Sequence, residues 1–130
     1  MIITNTSENV GDVCKTVAWL GDEKIVTGGH ATIFKHNQNP KYLVYYTQTS
    51  MFMIEKKKYA TGTKVIDVSA KNLGKIKIPI PSLAEQERIV NILDRFDALV
   101  NDISSGLPAE ISARKKQYEY YREKLLTFQE

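Results

Sequence analysis

Ile78-Pro79-Ile80-Pro81-Ser82-Leu83-Ala84-Glu85-Gln86-Glu87-Arg88-Ile89-Val90 is the stretch on which the reading of the whole chain turns. Proline has no N–H to donate and holds the residue before it extended. Pro79 and Pro81 therefore bracket the end of an extended, β-type region. Ser82 with Glu85 three residues on forms a capping box. The serine hydroxyl accepts from the Glu85 N–H, and the carboxylate reaches back to the Ser82 N–H. An amphipathic pattern follows. The expected fold class is α+β, with a small β-rich domain over residues 1–81 and a long helical, coiled-coil spacer over residues 82–130.

Forward of the junction, the apolar stripe runs Ile89, Leu93, Phe96, Val100, Ile103, Leu107, Ile111, Tyr118, Tyr121, Leu125 and Phe128. From Ile111 the spacing is seven residues on two seams, Ile111-Tyr118-Leu125 and Arg114-Tyr121-Phe128, as in a coiled coil. Leu107 keeps the stripe in step across Ser104-Ser105-Gly106, so the pattern predicts one long helix kinked at Pro108. At about 1.5 Å per residue it would reach roughly 65–70 Å. A lone helix cannot bury such a stripe, which calls for a second copy packed antiparallel: a homodimer with these residues as its interface. The rival is a hairpin folded back at Ser104-Ser105-Gly106.

Backward of the junction, strand signals are short. Val13–Leu20 is rich in β-formers, Gly21-Asp22 marks a turn, and Lys24–Thr27, Ala31–Lys35, Val65–Val68 and Lys75–Ile78 are strand candidates. Asn39 and Pro40 suit the N-cap and first position of a helix over residues 40–57. Its stripe would be Leu43, Val44, Tyr46, Thr47, Met51 and Ile54, with Lys56-Lys57-Lys58 at its C-terminal end. Ser69–Leu73 reads as one helical turn stopped by Gly74.

The string IKIPIPSLAEQERIVNILDRFDALVNDISSGLPAEISARKKQYEYYREKLLTF, residues 76–128, closely resembles the end of a target-recognition domain and the helical spacer of specificity subunits of type I restriction–modification enzymes. The resemblance is strong over residues 75–128 and weak over 1–74. It implies a non-catalytic DNA sequence-recognition subunit. Such a subunit reads a bipartite site in double-stranded DNA with the helices as a ruler. It docks modification (methyltransferase) subunits, which bind S-adenosylmethionine, and joins a restriction (motor-nuclease) subunit through the complex. A full specificity subunit has two recognition domains and two spacers. This chain has room for about half, with a recognition domain that is short on its N-terminal side.

Charge is uneven. Residues 1–81 carry eleven lysines against six acids, a net +5, whereas residues 82–130 carry seven basic against nine acidic residues, a net −2. A basic front suits a polyanion and a balanced back suits protein contacts; solvated surface lysine is the plain alternative. The candidate DNA-binding residues are Thr4, Asn5, Thr6 and Ser7, His30 beside Gly28-Gly29, the phosphate-attracting Lys56, Lys57 and Lys58, and the turn Thr61, Gly62, Thr63 and Lys64. The resemblance places a comparable Gly-Ser/Thr loop on the recognition side. Each of these residues reads equally well as turn chemistry.

Enzyme readings lack parts. Asn39-Pro40-Lys41-Tyr42 faintly resembles the Asn-Pro-Pro-Tyr/Phe motif of adenine-amino methyltransferases, but Lys41 replaces the second proline and no glycine-rich cofactor loop follows a strand. Cys14, His30 and His36 lack metal-ligand spacing, and Asp94 with Asp97 reads as a solvated face. Neither cofactor nor metal is expected. The single cysteine excludes an internal disulfide and suits a cytoplasmic location. No apolar run approaches the roughly 20 residues of a membrane span. The alternative function is a non-DNA-binding remnant that acts as a coiled-coil assembly protein.

Overall fold

The computed structural model describes residues 1–102 and 108–127. It falls into two compact units, Met1–Ile78 and Pro79–Glu130.

In the first unit, β1 (Ile2–Thr4) is the centre of a three-stranded antiparallel sheet, between β3 (Thr16–Val17) and β4 (Ala31–Ile33). A second, two-stranded ladder pairs β2 (Thr6–Ser7) with β5 (Ile66–Asp67). Side chains alternate across a strand, and the two faces of β1 differ. Ile3 is buried, whereas Val17 and Ile33, which flank Ile2 in register, are 60% and 58% exposed. The outer face of the sheet is thus apolar and open. The Lys24–Thr27 segment forms no strand. Nor does Lys75–Ile78, although its lysines are exposed and its isoleucines half-buried, as the alternation predicts.

The helix expected over residues 40–57 is two helices, α1 (Pro40–Thr47) and α2 (Ser50–Tyr59). Asn39 caps α1 by accepting from the Tyr42 N–H, with Pro40 at its first turn. Thr49 makes the break. Its hydroxyl donates to the Tyr46 carbonyl at 2.7 Å and accepts from the Phe52 N–H at 3.3 Å, ending one helix and capping the next. The restart shifts the phase, so Phe52 and Lys56 face inward while Met51 and Ile54 are exposed. Ser69 caps the single-turn α3 (Ala70–Leu73), which ends at Gly74.

The second unit holds α4 (Leu83–Asp102) and α5 (Pro108–Thr127), and here the expectation of one long helix is corrected. Phe96 stacks on Tyr121 with ring centroids 5.4 Å apart and meets Tyr118 at 6.5 Å. In a continuous helix Phe96 and Tyr121 would lie roughly 37 Å apart. The two helices therefore pack antiparallel as a hairpin, and a hairpin buries the stripe within one chain. Ile89 and Leu93 are fully buried, and so is Leu126, which the seven-residue pattern passes over in favour of the half-buried Leu125. Ile103, Leu107 and Phe128, and the Ser104-Ser105-Gly106 break, lie outside the described residues.

At the junction the capping box is half formed. Ser82 Oγ accepts from the Glu85 N–H at 3.2 Å. The Glu85 carboxylate turns to Arg88 instead, at 2.5 and 2.9 Å. Gln86, fully buried, reaches back and donates to the Pro81 carbonyl at 2.8 Å.

Candidate nucleic-acid interface

Asn5 is the hub of the first unit. Its N–H donates to the His30 carbonyl and its carbonyl accepts from the Val68 N–H, both at 2.9 Å. Its side-chain amide donates to the Val68 carbonyl and accepts from the Thr32 hydroxyl, also at 2.9 Å. One residue thereby ties the β1–β2 connection to the start of β4 and the end of β5. The amide that the sequence offers to DNA already serves the fold.

Around this hub most of the predicted residues come together. Thr6 lies opposite Asp67 and Ser7 opposite Ile66. On the other side of Asp67, Thr61 exchanges two backbone bonds with it, at 2.9 and 2.8 Å, closing the turn that carries Gly62, Thr63 and Lys64. Gly62 has φ +102°, and a Cβ there would stand 2.1 Å from the Val65 carbonyl oxygen, so the tight turn requires glycine. Thr4, His30 and all of Thr61–Lys64 are exposed; Thr6 and Ser7 are half-buried. Hydroxyls, an imidazole and a cation are thus gathered about two adjoining backbone pairings.

The lysine run divides. Lys57 and Lys58 are exposed in the last turn of α2, which leads directly into Thr61. Lys58 pairs with Glu55 at 2.6 Å, and that carboxylate raises the affinity of the ammonium for its proton. Lys56 departs from the phosphate-contact expectation. It is only 4% exposed, and its ammonium donates to the Val13 and Gly11 carbonyls at 2.7 and 3.1 Å. Burial lowers its pKa, and burial raises that of the neighbouring Cys14 thiol.

The methyltransferase-like reading of Asn39–Tyr42 loses its stacking ring, because Tyr42 is fully buried in the core and Asn39 is occupied as the cap of α1. Among the described residues no group of three His, Cys, Asp or Glu side chains could hold a metal ion. Among the same residues no helix is long and apolar enough to cross a membrane.

The first unit is a small α+β scaffold on which polar and cationic side chains are brought together around Asn5. The chain belongs to the type I restriction modification DNA specificity domain family, whose model matches residues 2–113. It is 47% identical over 121 residues to a protein of Haemophilus influenzae assigned as a type I restriction enzyme specificity subunit, covering 91% of this chain and 30% of that one. It is 54% identical over 68 residues to the EcoR124I/EcoR124II specificity subunit of Escherichia coli, covering 52% of this chain and 17% of the relative. The EcoprrI specificity subunit of Escherichia coli is 34% identical over 139 residues, covering 99% of this chain and 34% of its own. The chain thus spans between 17% and 34% of the length of these relatives. No solved structure matches the chain significantly.

Proposed function

We propose that this chain recognises DNA sequence for a type I restriction–modification complex, reading one half of a bipartite site in double-stranded DNA and performing no chemistry itself. The observation that carries this reading is the gathering of Thr4, Thr6, Ser7, His30 and Thr61–Lys64 about the Asn5 hub, on the unit of the chain that carries the net positive charge. Exposed hydroxyls and imidazole can reach base edges and phosphates, and cations supply the sequence-independent attraction. Lys57, Lys58 and Lys64 are the phosphate contacts in this reading.

The helical unit takes the protein contacts, with a cytoplasmic modification (methyltransferase) subunit as its partner and the restriction subunit joining through that complex. The support is surface that the hairpin leaves uncovered: Leu83, Leu99 and Tyr120 are all about half exposed or more. Self-association of the helical unit would pair two copies of this chain into one two-headed reader. Light scattering on the purified chain and on Tyr120→Glu tests it, and a parent that stays monomeric at micromolar concentration removes the homodimer.

Gel-shift titration with the cognate modification subunit, over a salt series, tests DNA recognition. Each phosphate contact adds about −0.9 to the slope of log affinity against log salt. Lys57→Gln should make the slope shallower by about that amount. Absence of any DNA binding by the complex overturns the reading. Binding of the modification subunit without DNA would leave the assembly-protein alternative.

A further inference from the structure

The Asn9–Cys14 turn is built around two carbonyls that face one cation. Asn9 opens it in the manner of a helix N-cap, its side-chain oxygen accepting from the Asp12 N–H at 2.8 Å and its amide donating to the Asp12 carboxylate at 2.7 Å. The Val13 N–H returns to the Asn9 carbonyl. Cys14 then takes φ +63°, the one positive φ of a non-glycine residue among those described. A side chain in that region is strained unless its surroundings hold it. What holds it is visible on both sides. The Cys14 N–H donates to the Thr4 carbonyl at 2.9 Å, and the Thr4 N–H donates to the Lys15 carbonyl at 3.0 Å. From behind, the Lys56 ammonium binds the carbonyls of Gly11 and Val13. A long aliphatic stem with a compact cationic head suits this place: the stem is buried and the head meets two carbonyls at once.

We propose that Lys56 is a positioning residue of the recognition surface: it fastens the Asn9–Cys14 turn to α2 and so fixes Thr4–Ser7, without itself reaching phosphate. The functional half rests on the DNA-recognition reading above; the clamp itself does not. The strained turn and Thr4 share hydrogen bonds, so releasing the turn releases the strand that leads to Asn5, Thr6 and Ser7. Lys57, its neighbour in sequence, points to solvent and acts by charge alone. Two adjacent lysines thereby have separable effects, one on discrimination and one on attraction.

Cys14 is the single cysteine of the chain and is buried, which makes its thiol a reporter of the clamp. Lys56→Met keeps the stem volume and removes the donor. Its native-state labelling by a thiol reagent should be about tenfold faster than in the parent, with helix content unchanged. In complex with the modification subunit, DNA binding is compared on a duplex enriched from random sequence by the parent complex and on the random pool. Lys56→Met should lower the ratio of the two affinities and leave the salt slope as it is. Lys57→Gln should make the slope shallower, leave the ratio, and leave Cys14 labelling slow. Equal labelling in Lys56→Met and parent overturns the clamp, and an altered salt slope in Lys56→Met overturns the positioning role. If Lys56→Met does not fold, the parent decides: Cys14 should label only as fast as global unfolding allows across a denaturant series, and rapid labelling with intact circular dichroism overturns the proposal. A parent complex that binds neither duplex overturns the DNA reading, and the labelling comparison still judges the clamp.

Discussion

The two units are held together by different means. The helical hairpin relies on apolar burial: Ile89, Leu93 and Leu126 are fully buried, with Phe96 stacked on Tyr121 nearby. The first unit has strands of two or three residues, and one face of its main sheet is open. Such strands cannot specify their own pairing by side-chain pattern. Individual polar side chains set the register instead: Asn5 between β1, β4 and β5, Thr49 between α1 and α2, and Lys56 behind the Asn9–Cys14 turn. The hairpin should therefore respond most to the loss of a buried apolar side chain, whereas the first unit should respond to the loss of a single hydrogen bond.

The comparison breaks most visibly at Leu93. Leu93→Ala should cost about 2–5 kcal/mol, by lost transfer free energy and the cavity left behind. Denaturant unfolding that shows a smaller loss would mean that the two helices do not depend on this packing. Asn5→Ala comes next, at about 1–3 kcal/mol, because it leaves the Val68 carbonyl without its side-chain donor and the Thr32 hydroxyl without its acceptor. Hydrogen exchange should show the loss at Asn5, Val68 and Thr61 rather than in α4. Uniform loosening of the whole chain would contradict the contrast drawn between the units. Ser82→Ala should lower stability by about 1 kcal/mol through the lost cap of α4, read as a fall in melting temperature.

The smallest effect concerns pH. The Arg88 guanidinium holds the Glu85 carboxyl below the usual value of 4.5. Its folded pKa is thus depressed relative to the unfolded chain. The stabilisation it brings is present above pH 4.5 and is lost as the pH falls through the lower, folded-state value. Glu85→Gln should flatten the dependence of melting temperature on pH in that acid window and leave it unchanged near neutrality. An acid transition unchanged by Glu85→Gln would assign it to other carboxylates.

The family was legible from the junction and the spacer, because Pro79-Ile80-Pro81-Ser82 and the apolar stripe are local patterns with local causes. So were the caps at Asn39 and Ser82, where a side chain meets an N–H three residues away. The break at Thr49 was not. Thr47, Thr49 and Ser50 are alike as possible caps, and only the burial of Phe52 and Lys56 together selects the new phase. The lysine run shows the same limit. Three adjacent lysines look alike in sequence, yet a helix turns each by about 100°, so one enters the interior while its neighbours stay in water.

By itself the sequence determined where the extended front ends and the helices begin, which residues cap them, and which side of the chain carries positive charge; proline geometry, capping and composition act over a few residues. Only the tertiary structure decided that the two helices fold against each other rather than run on. An apolar stripe specifies that it must be covered but not whether the cover comes from the same chain. Tertiary structure alone also decided that Asn5 and Lys56 serve the fold, since their partners lie dozens of residues away. Hydrogen bonds of that span arise from the path of the backbone, which no local pattern of residues encodes.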